Sequence, residues 1–524
     1  MAKYVFITGG VVSGLGKGIT AGSLGALLKA RGYKVALQKI DPYFNVDSAN
    51  LSPYQHGEVF VTGDGAEVDL VLGHYERLLG ENLGSSCEVT SGQIYSSVIA
   101  KERNGYYDGS TVQVVPHITD EIKSKITALD DGKVDIIINE IGGTVGDIEC
   151  HPFLEAIRQL QSEVGRSNVA YVHVTLLPYI EMSGEQKTKP TQHSVKELQN
   201  VGIQPDIIVC RSEYPIGDSS KKKLSLFCNV SQDCIIQDLT TDKLYSVPLM
   251  LEEEGFAKVV LRKIRLEDRP ADLENIKSFC EKFDLLSESS ETVKIAVVGK
   301  YVEKPAAYVS LSQALLFGSV NNGVKTDIKW ISSENVTPST VSKLLSEADG
   351  IVIPSGFGER GFDGKIIAAE YARKKDVPCL MIGMGAQAGI MEYAKNVLKI
   401  ADAADEEFSD KGSLIIEKFG ADATFKKGGH KTLLEKGSLI SEIYGGETCI
   451  KERHRHKYRI SRKYADVLGS KELKFGGYSE HGTPETFEIK GKKFYVGVIF
   501  RPEFSARPSQ PCPLFDAFIA AAKK

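Results

Sequence analysis

Long apolar runs are missing from these 524 residues. No segment approaches the ~20 consecutive apolar residues that a membrane-crossing helix needs. The start, Met-Ala-Lys-Tyr-Val-Phe-Ile-Thr-Gly-Gly, is broken by glycine too soon for a signal peptide. Cysteine is sparse and scattered. The nine cysteines show no CxxC or Cys/His spacing of the kind that holds zinc, and an odd number fits a reduced compartment better than a disulfide framework, so the reading is a cytoplasmic chain. Surplus positive charge is also missing: 64 Lys and Arg stand against 69 Asp and Glu, a net charge of -5, which argues against broad nucleic-acid coating and makes any anion site local. Internal repeats and low-complexity tracts are absent too. What is present, 42% apolar and 25% charged residues of both signs, is the balance of a soluble globular protein. The length exceeds the roughly 250–300 residues at which single cores stop growing, so two domains are expected.

Hydrophobic patterning gives both domains an α/β character. Residues 4–8 read as a strand, 9–18 as a glycine-rich turn, Ile19 to Leu28 as a helix and 35–40 as a second strand, a βαβ order. Apolar β-rich runs at 134–139, 169–176 and 207–210 alternate with helical stretches such as 152–164, which predicts a parallel sheet covered by helices. Residues 267–291 are polar and Ser-rich toward their end, and a new strand opens at Val293. The expected division is therefore 1–266, a linker over 267–291, and a second α/β domain over 292–524.

The turn Gly10-Val-Val-Ser-Gly-Leu-Gly16-Lys17-Gly18 sits between strand and helix, where backbone N–H groups and a helix N-terminus converge on phosphate oxygens. Its spelling departs from G-x-x-x-x-G-K-[ST]. Five residues separate Gly10 from Gly16, and Gly18 replaces the magnesium-binding hydroxyl. Carboxylates must then hold the metal, since magnesium prefers hard oxygen ligands. Asp69 and Glu140 are the candidates, although by spacing alone either could equally be a surface charge or a helix cap. The same openness applies to the whole turn, which read by itself could be a tight strand-to-helix connection.

These motifs, together with Lys39-Ile-Asp-Pro-Tyr, Gln55-His-Gly-Glu-Val-Phe-Val, Leu72-Gly-His-Tyr-Glu-Arg, Glu140-Ile-Gly-Gly-Thr-Val-Gly-Asp-Ile-Glu and Lys187-Thr-Lys-Pro-Thr-Gln-His-Ser-Val-Lys-Glu-Leu, resemble the CTP synthase family along nearly the whole chain. The resemblance implies a P-loop-type parallel-sheet amidoligase domain followed by a class I glutamine amidotransferase-like domain. In such an enzyme ATP phosphorylates the UTP 4-oxygen, ammonia attacks C4, and phosphate leaves to give CTP. It implies ATP and Mg2+, with Lys17 and Lys39 as catalytic lysines beside the transferring phosphoryl group. Gly14, Leu15, Gly16, Gly18, Ile19, Asp69 and Arg211 fall on the ATP side. Asp69 and Glu140 match the magnesium ligands. Ser13, Lys187, Lys189, Gln192 and Lys223 match contacts to the pyrimidine nucleotide. Asp147 and Glu149, with Phe227 stacking on the base, match the site that recognises CTP as a feedback inhibitor. A homo-oligomer, tetrameric and able to form filaments, is also implied; neither a nucleic-acid nor a membrane partner is.

The second half departs from the family pattern. The amidotransferase cysteine belongs in Gly-x-Cys-x-Gly at a strand-to-helix elbow, but here the place reads Met381-Ile382-Gly383-Met384-Gly385, with Gly383 where a thiolate should attack. The family's His-Pro-Glu appears as Arg501-Pro502-Glu503, and arginine stays protonated and cannot serve as a general base. Only Glu503 of the triad is retained. Ser355 replaces the first of two glycines near the oxyanion hole, where a requirement for positive φ would strain a serine. Gln387, Glu407 and Arg455 still match positions around the glutamine. Cys379, four residues before Gly383 within the expected strand, faces away and is no substitute. The expectation is a CTP synthase that uses ammonia and has a silent glutaminase. The alternatives are a non-catalytic partner of an intact synthase, or glutamine-dependent synthesis through unrecognised groups.

Overall fold

The computed structural model describes residues 1–286, 288–419 and 425–523. It separates into two compact units, one of Met1–Asn50 with Val71–Cys280, the other of Leu51–Leu70 with Glu281–Lys524.

The first unit is built on seven strands, β1 Lys3–Gly9, β2 Val35–Asp41, β3 Glu88–Thr90, β4 Ile136–Ile141, β5 Val169–Leu176, β6 Ile207–Ser212 and β7 Ile235–Leu239. They form one sheet in the order β7-β6-β5-β1-β4-β2-β3, and each neighbouring pair is parallel. β1, β4 and β5 are buried almost without interruption, as a sheet covered on both faces requires, which is why these runs are continuously apolar rather than alternating. Helix α1, Lys17–Ala30, connects β1 to β2, but the two strands are not neighbours because β4 lies between them. The strand order therefore diverges on either side of β1. In open parallel sheets, ligands collect at the carboxyl ends of strands where the order reverses.

The second unit has a nine-stranded sheet. Its strands are β8 Thr292–Gly299, β9 Lys325–Ser332, β10 Gly350–Ile353, β11 Cys379–Ile382, β12 Lys426–Leu434, β13 Cys449–His456, β14 Leu473–Ser479, β15 Pro484–Ile489 and β16 Tyr495–Val498. The order is β9-β8-β10-β11-β16-β15-β14-β12-β13, parallel from β9 to β16 and antiparallel beyond. The polar stretch before β8 contains a helix, Glu274–Leu286, because Phe279 and Leu286, two turns apart, give it a buried face. Residue 287 of that stretch lies outside the described residues.

Leu51–Leu70 belongs to the second unit although sequence order sets it among the strands of the first. It carries a short antiparallel hairpin of Val59–Val61 and Glu67–Asp69. Glycines on both sides allow close backbone approach: Gly429 N–H donates to Gly63 O at 2.9 Å, and a Cβ on Gly428 would lie 2.7 Å from Gly65 N. Around this contact Glu67 pairs with Arg455 and Lys427, both at 2.8 Å, and the Arg453 guanidinium donates to Val61 O at 3.0 Å.

Candidate active site

In the first unit the turn after β1 carries positive φ at Val11, Gly14 and Gly16, 85°, 77° and 93°, and α1 starts from Gly16. Left-handed residues spaced along a turn bring backbone N–H groups to its concave side, and a helix N-terminus adds its partial positive charge. Ser13 is exposed, Ile19 half-buried and Leu15 buried. Lys17 Nζ donates to Gly143 O at 2.5 Å. The unusual spelling has a steric cause: a Cβ on Gly18 would lie 2.6 Å from Val71 Cγ1 and 3.2 Å from Glu140 Oε2. A serine or threonine there would force Val71 to shift, and a carboxylate stands beside the gap instead.

Glu140 is buried near the carboxyl end of β4 and accepts a hydrogen bond from the Tyr75 hydroxyl. The sheet register sets it opposite both Ile7 and Lys39. Lys39 is buried too, with Nζ 3.0 Å from Asp41 Oδ2. Arg211, near the end of β6, is opposite Asp238 and binds its Oδ1 at 3.1 Å. Lys39, Glu140, Arg211 and the glycine turn therefore share the carboxyl edge of one sheet. Asp69 ends the hairpin of the second unit, half-buried and opposite Val59.

A brace beneath the turn was not legible in the sequence. His173, fully buried on β5, links Thr8 Oγ1 at 2.9 Å and Ser194 Oγ at 2.8 Å. Burial, with the Lys17 charge adding to it, pushes its imidazole down to about 3, so the ring is neutral. A Cβ on Gly10 would meet Ser194 Oγ at 1.9 Å, which seats the turn directly on this chain of side chains. Such a histidine lies inside an apolar run, and no local spacing distinguishes it.

Of the residues matched to pyrimidine binding, Lys189 lies with Nζ 5.3 Å from the Phe227 ring centroid, and that ring is 53% exposed. Lys187 pairs with Glu185, which also feels the charge of Lys223. Gln192 is buried and donates to Thr188 Oγ1 at 3.0 Å. Asp147 and Glu149 are exposed on the segment that follows β4.

The elbow of the second unit keeps its shape. Gly383, between β11 and the helix Met384–Glu392, has φ 56° and ψ -116°, a conformation that strains any residue but glycine. Strained strand-to-helix turns of this kind display nucleophiles in hydrolases, and here no side chain is displayed. Ser355 corrects one expectation: it is not among the positive-φ residues, so serine is unstrained there. Its effect is steric, since an ideal Cβ on Gly383 would lie 2.5 Å from Ser355 Oγ and 2.9 Å from Ser355 Cβ.

Arg501 is turned onto acids. Its Nε donates to Glu503 Oε1 at 2.5 Å, its Nη2 is 3.8 Å from Glu58 Oε1, and its guanidinium sits 4.4 Å from the Phe504 ring centroid. Glu503 is 1% exposed, and this arginine sets a guanidinium charge against its buried carboxylate. Burial pushes Glu58 up, and Arg501 and Ser310 partly offset this. Glu407 accepts from Gly358 N–H at 2.5 Å. Buried Lys300 donates to Phe357 O at 2.7 Å, and burial pushes it down to about 8. Lys365, fully buried, donates to Pro354 O at 2.5 Å and is held well below the usual lysine range, first by burial and then by the Lys300 and Arg501 charges. Gln387 is buried in the helix after the elbow. Cys379 is wholly buried and burial pushes its thiol up strongly, so it offers no thiolate.

Residues 3–266 match the family described as CTP synthase N-terminus, and residues 306–521 match glutamine amidotransferase class-I. The CTP synthase of Ruminiclostridium cellulolyticum is 49% identical over 99% of this chain and 98% of its own length. That of Methanocaldococcus jannaschii is 48% identical over 99% and 98%. A solved structure, the glutaminase domain of Trypanosoma brucei CTPS with bound acivicin, is 31% identical, covers 44% of this chain and 93% of that chain, and has a TM-score of 0.42.

Proposed function

Because the chain belongs to the CTP synthase family and is an enzyme that converts UTP to CTP, we propose that it takes its nitrogen as ammonia that its own second unit does not generate. The observation that carries this reading is Gly383: the elbow is formed, yet no nucleophile stands on it and Ser355 fills the adjoining space. Without a thiolate there is no thioester, and without an imidazole at position 501 there is no base to activate one. Nucleophile and base act as a unit, so loss of either nearly abolishes turnover.

The synthase chemistry then falls to the first unit's residues. The glycine turn and Lys17 bind the phosphates of ATP. Lys39 lends positive charge where the γ-phosphoryl group passes to the UTP 4-oxygen. Lys187, Lys189, Gln192, Lys223 and Ser13 hold the pyrimidine nucleotide, and Arg211 lies on the ATP side. Ammonia adds to C4 and the phosphate departs with the oxygen. Asp69 and Glu140 would hold magnesium, and the buried Glu140 carboxylate beside the side-chain-less Gly18 fits a hard-oxygen ligand. The ion supplies neutralisation of charge on the transferring phosphate. Asp147, Glu149 and Phe227 recognise CTP as inhibitor, and the exposed Phe227 ring is available for stacking.

The test is purified protein with ATP, UTP and magnesium, given ammonium or glutamine. CTP is expected from ammonium and not from glutamine. CTP from both sinks the ammonia-only reading, and CTP from neither makes the chain a non-catalytic partner. The same ammonium assay at saturating CTP should slow; an unchanged rate removes the roles of Asp147 and Glu149.

A further inference from the structure

We propose that Ser355 is the residue that locks the elbow against a nucleophile, so that positions 355 and 383 determine together, rather than 383 alone, whether the elbow can carry a side chain. This rests on the reading above for its functional meaning, but its physical basis is separate. A Cβ at 383 would stand 2.5 Å from Ser355 Oγ, 2.9 Å from Ser355 Cβ and 3.7 Å from Ser355 Cα. Carbon atoms pack at about 3.5–4.0 Å, so the first two separations are repulsive and the third is ordinary contact. Rotating Ser355 about χ1 moves only the hydroxyl. The Cβ stays where the backbone puts it, so no serine rotamer clears the place.

Backbone adjustment is closed off as well. Gly383 N–H donates to Val498 O at 2.8 Å and Gly383 O accepts from Gln387 N at 3.1 Å, which fixes the elbow between β16 and the helix. One residue further on, a Cβ at Gly385 would already meet Ile353 O at 1.8 Å. On the other side, Pro354 O is held by buried Lys365. The 355 backbone and the 383 backbone are thus each pinned, with room for one Cβ between them, and this chain has given it to serine. Because Ser355 has no positive φ, glycine is not required there by the backbone; what glycine at 355 would supply is space.

The experiment is a double-mutant cycle on the full chain with Gly383→Cys, Ser355→Gly and both together, and a parallel cycle with Gly383→Ala to separate size from thiol chemistry. The readouts are the unfolding midpoint and the rate at which a glutamine-like chloroketone alkylates position 383. Gly383→Cys alone should lower the midpoint, and Ser355→Gly should recover at least half of that loss in the double variant, with Gly383→Ala behaving alike. Alkylation should be faster in the double variant than in Gly383→Cys. If the single variant is too unstable to purify and the double is not, the lock is supported. Additive midpoints, or equal failure of single and double variants, overturn it. CTP formation from ammonium by the unaltered chain tests the nitrogen-source reading separately, and either result there leaves the cycle interpretable.

Discussion

At position 501 a residue that cannot act as a base has a second task. Glu503 and Glu58 lie near it, both almost fully buried. Arg501 sets one cation against both, with Nε 2.5 Å from Glu503 Oε1 and Nη2 3.8 Å from Glu58 Oε1. Breaking a buried pair by removing one partner typically costs about 3–5 kcal/mol, because the remaining charge stays buried. Arg501→Met is therefore expected to destabilise the second unit by about that amount in denaturant unfolding. Ammonium-dependent CTP formation by the still-folded fraction should be unchanged. A loss below about 1 kcal/mol, the range of exposed pairs, would show that Arg501 carries no such load. Substitution to histidine would not substitute for the guanidinium, whose charge does not depend on pH near neutrality.

At the scale of elements, the turn between β1 and α1 shows how a helix start can be tuned by its neighbours. Gly18 is held small by Val71 and Glu140, so Gly18→Ser, which restores the commoner phosphate-loop spelling, should lower both stability and ammonium-dependent activity. A gain in magnesium affinity, measured by titrating the ion in the CTP assay, would refute the steric explanation. Much of this site could be read from sequence because glycine turns, strand ends and lysines are local signals. Residues 169–176 and 35–40 read as strands from composition alone and are found as β5 and β2, the latter extended by one residue. What escaped were relations between elements. Nothing in the run at 169–176 marks His173 as the brace between Thr8 and Ser194, and nothing in the βαβ order reveals that β4 inserts between β1 and β2. The steric pairing of Ser355 with Gly383 is of the same kind, joining the ends of different strands. Sequence showed the odd residue at each place without showing that they occupy one volume.

Across the whole molecule the two units carry different buried titrating groups. In the first, burial pushes His74 and His173 down to about 3, so the folded state binds fewer protons than the unfolded state between pH 3 and about 6.5. Stability from these groups is complete above pH 6.5 and lost as pH falls through that window, with Asp238, pushed up by burial, opposing in part. In the second, burial pushes Asp405 and Glu452 up to about 7, and an acid with a raised folded pKa gains stability as pH falls from about 7 toward 4. His454 and His456, both pushed down by burial, oppose that gain. Acidification from pH 7 to 5 should therefore weaken the first unit before the second. The chain's one tryptophan, Trp330, lies on β9 of the second unit and reports it alone. Far-UV circular dichroism should fall at a higher pH than the Trp330 emission shifts; coincident transitions would refute the difference.

The hairpin at Leu51–Leu70 bears on where the chain can be cut. A polypeptide that begins at residue 292 lacks the strands that cover Arg453, Arg455 and Phe504, and one that ends at 266 leaves Glu58, Phe60 and Glu67 without the side chains they pair with. A truncation that removes the later strands of the second unit therefore also undoes the packing of the segment that carries Asp69. Residues 292–524 expressed alone should be insoluble and be rescued by supplying residues 51–70 as a peptide; a soluble, cooperatively unfolding fragment would show that the hairpin is dispensable. A substitution at the elbow changes one residue of this unit, whereas truncation strips Arg453 and Arg455 of the hairpin groups they bind.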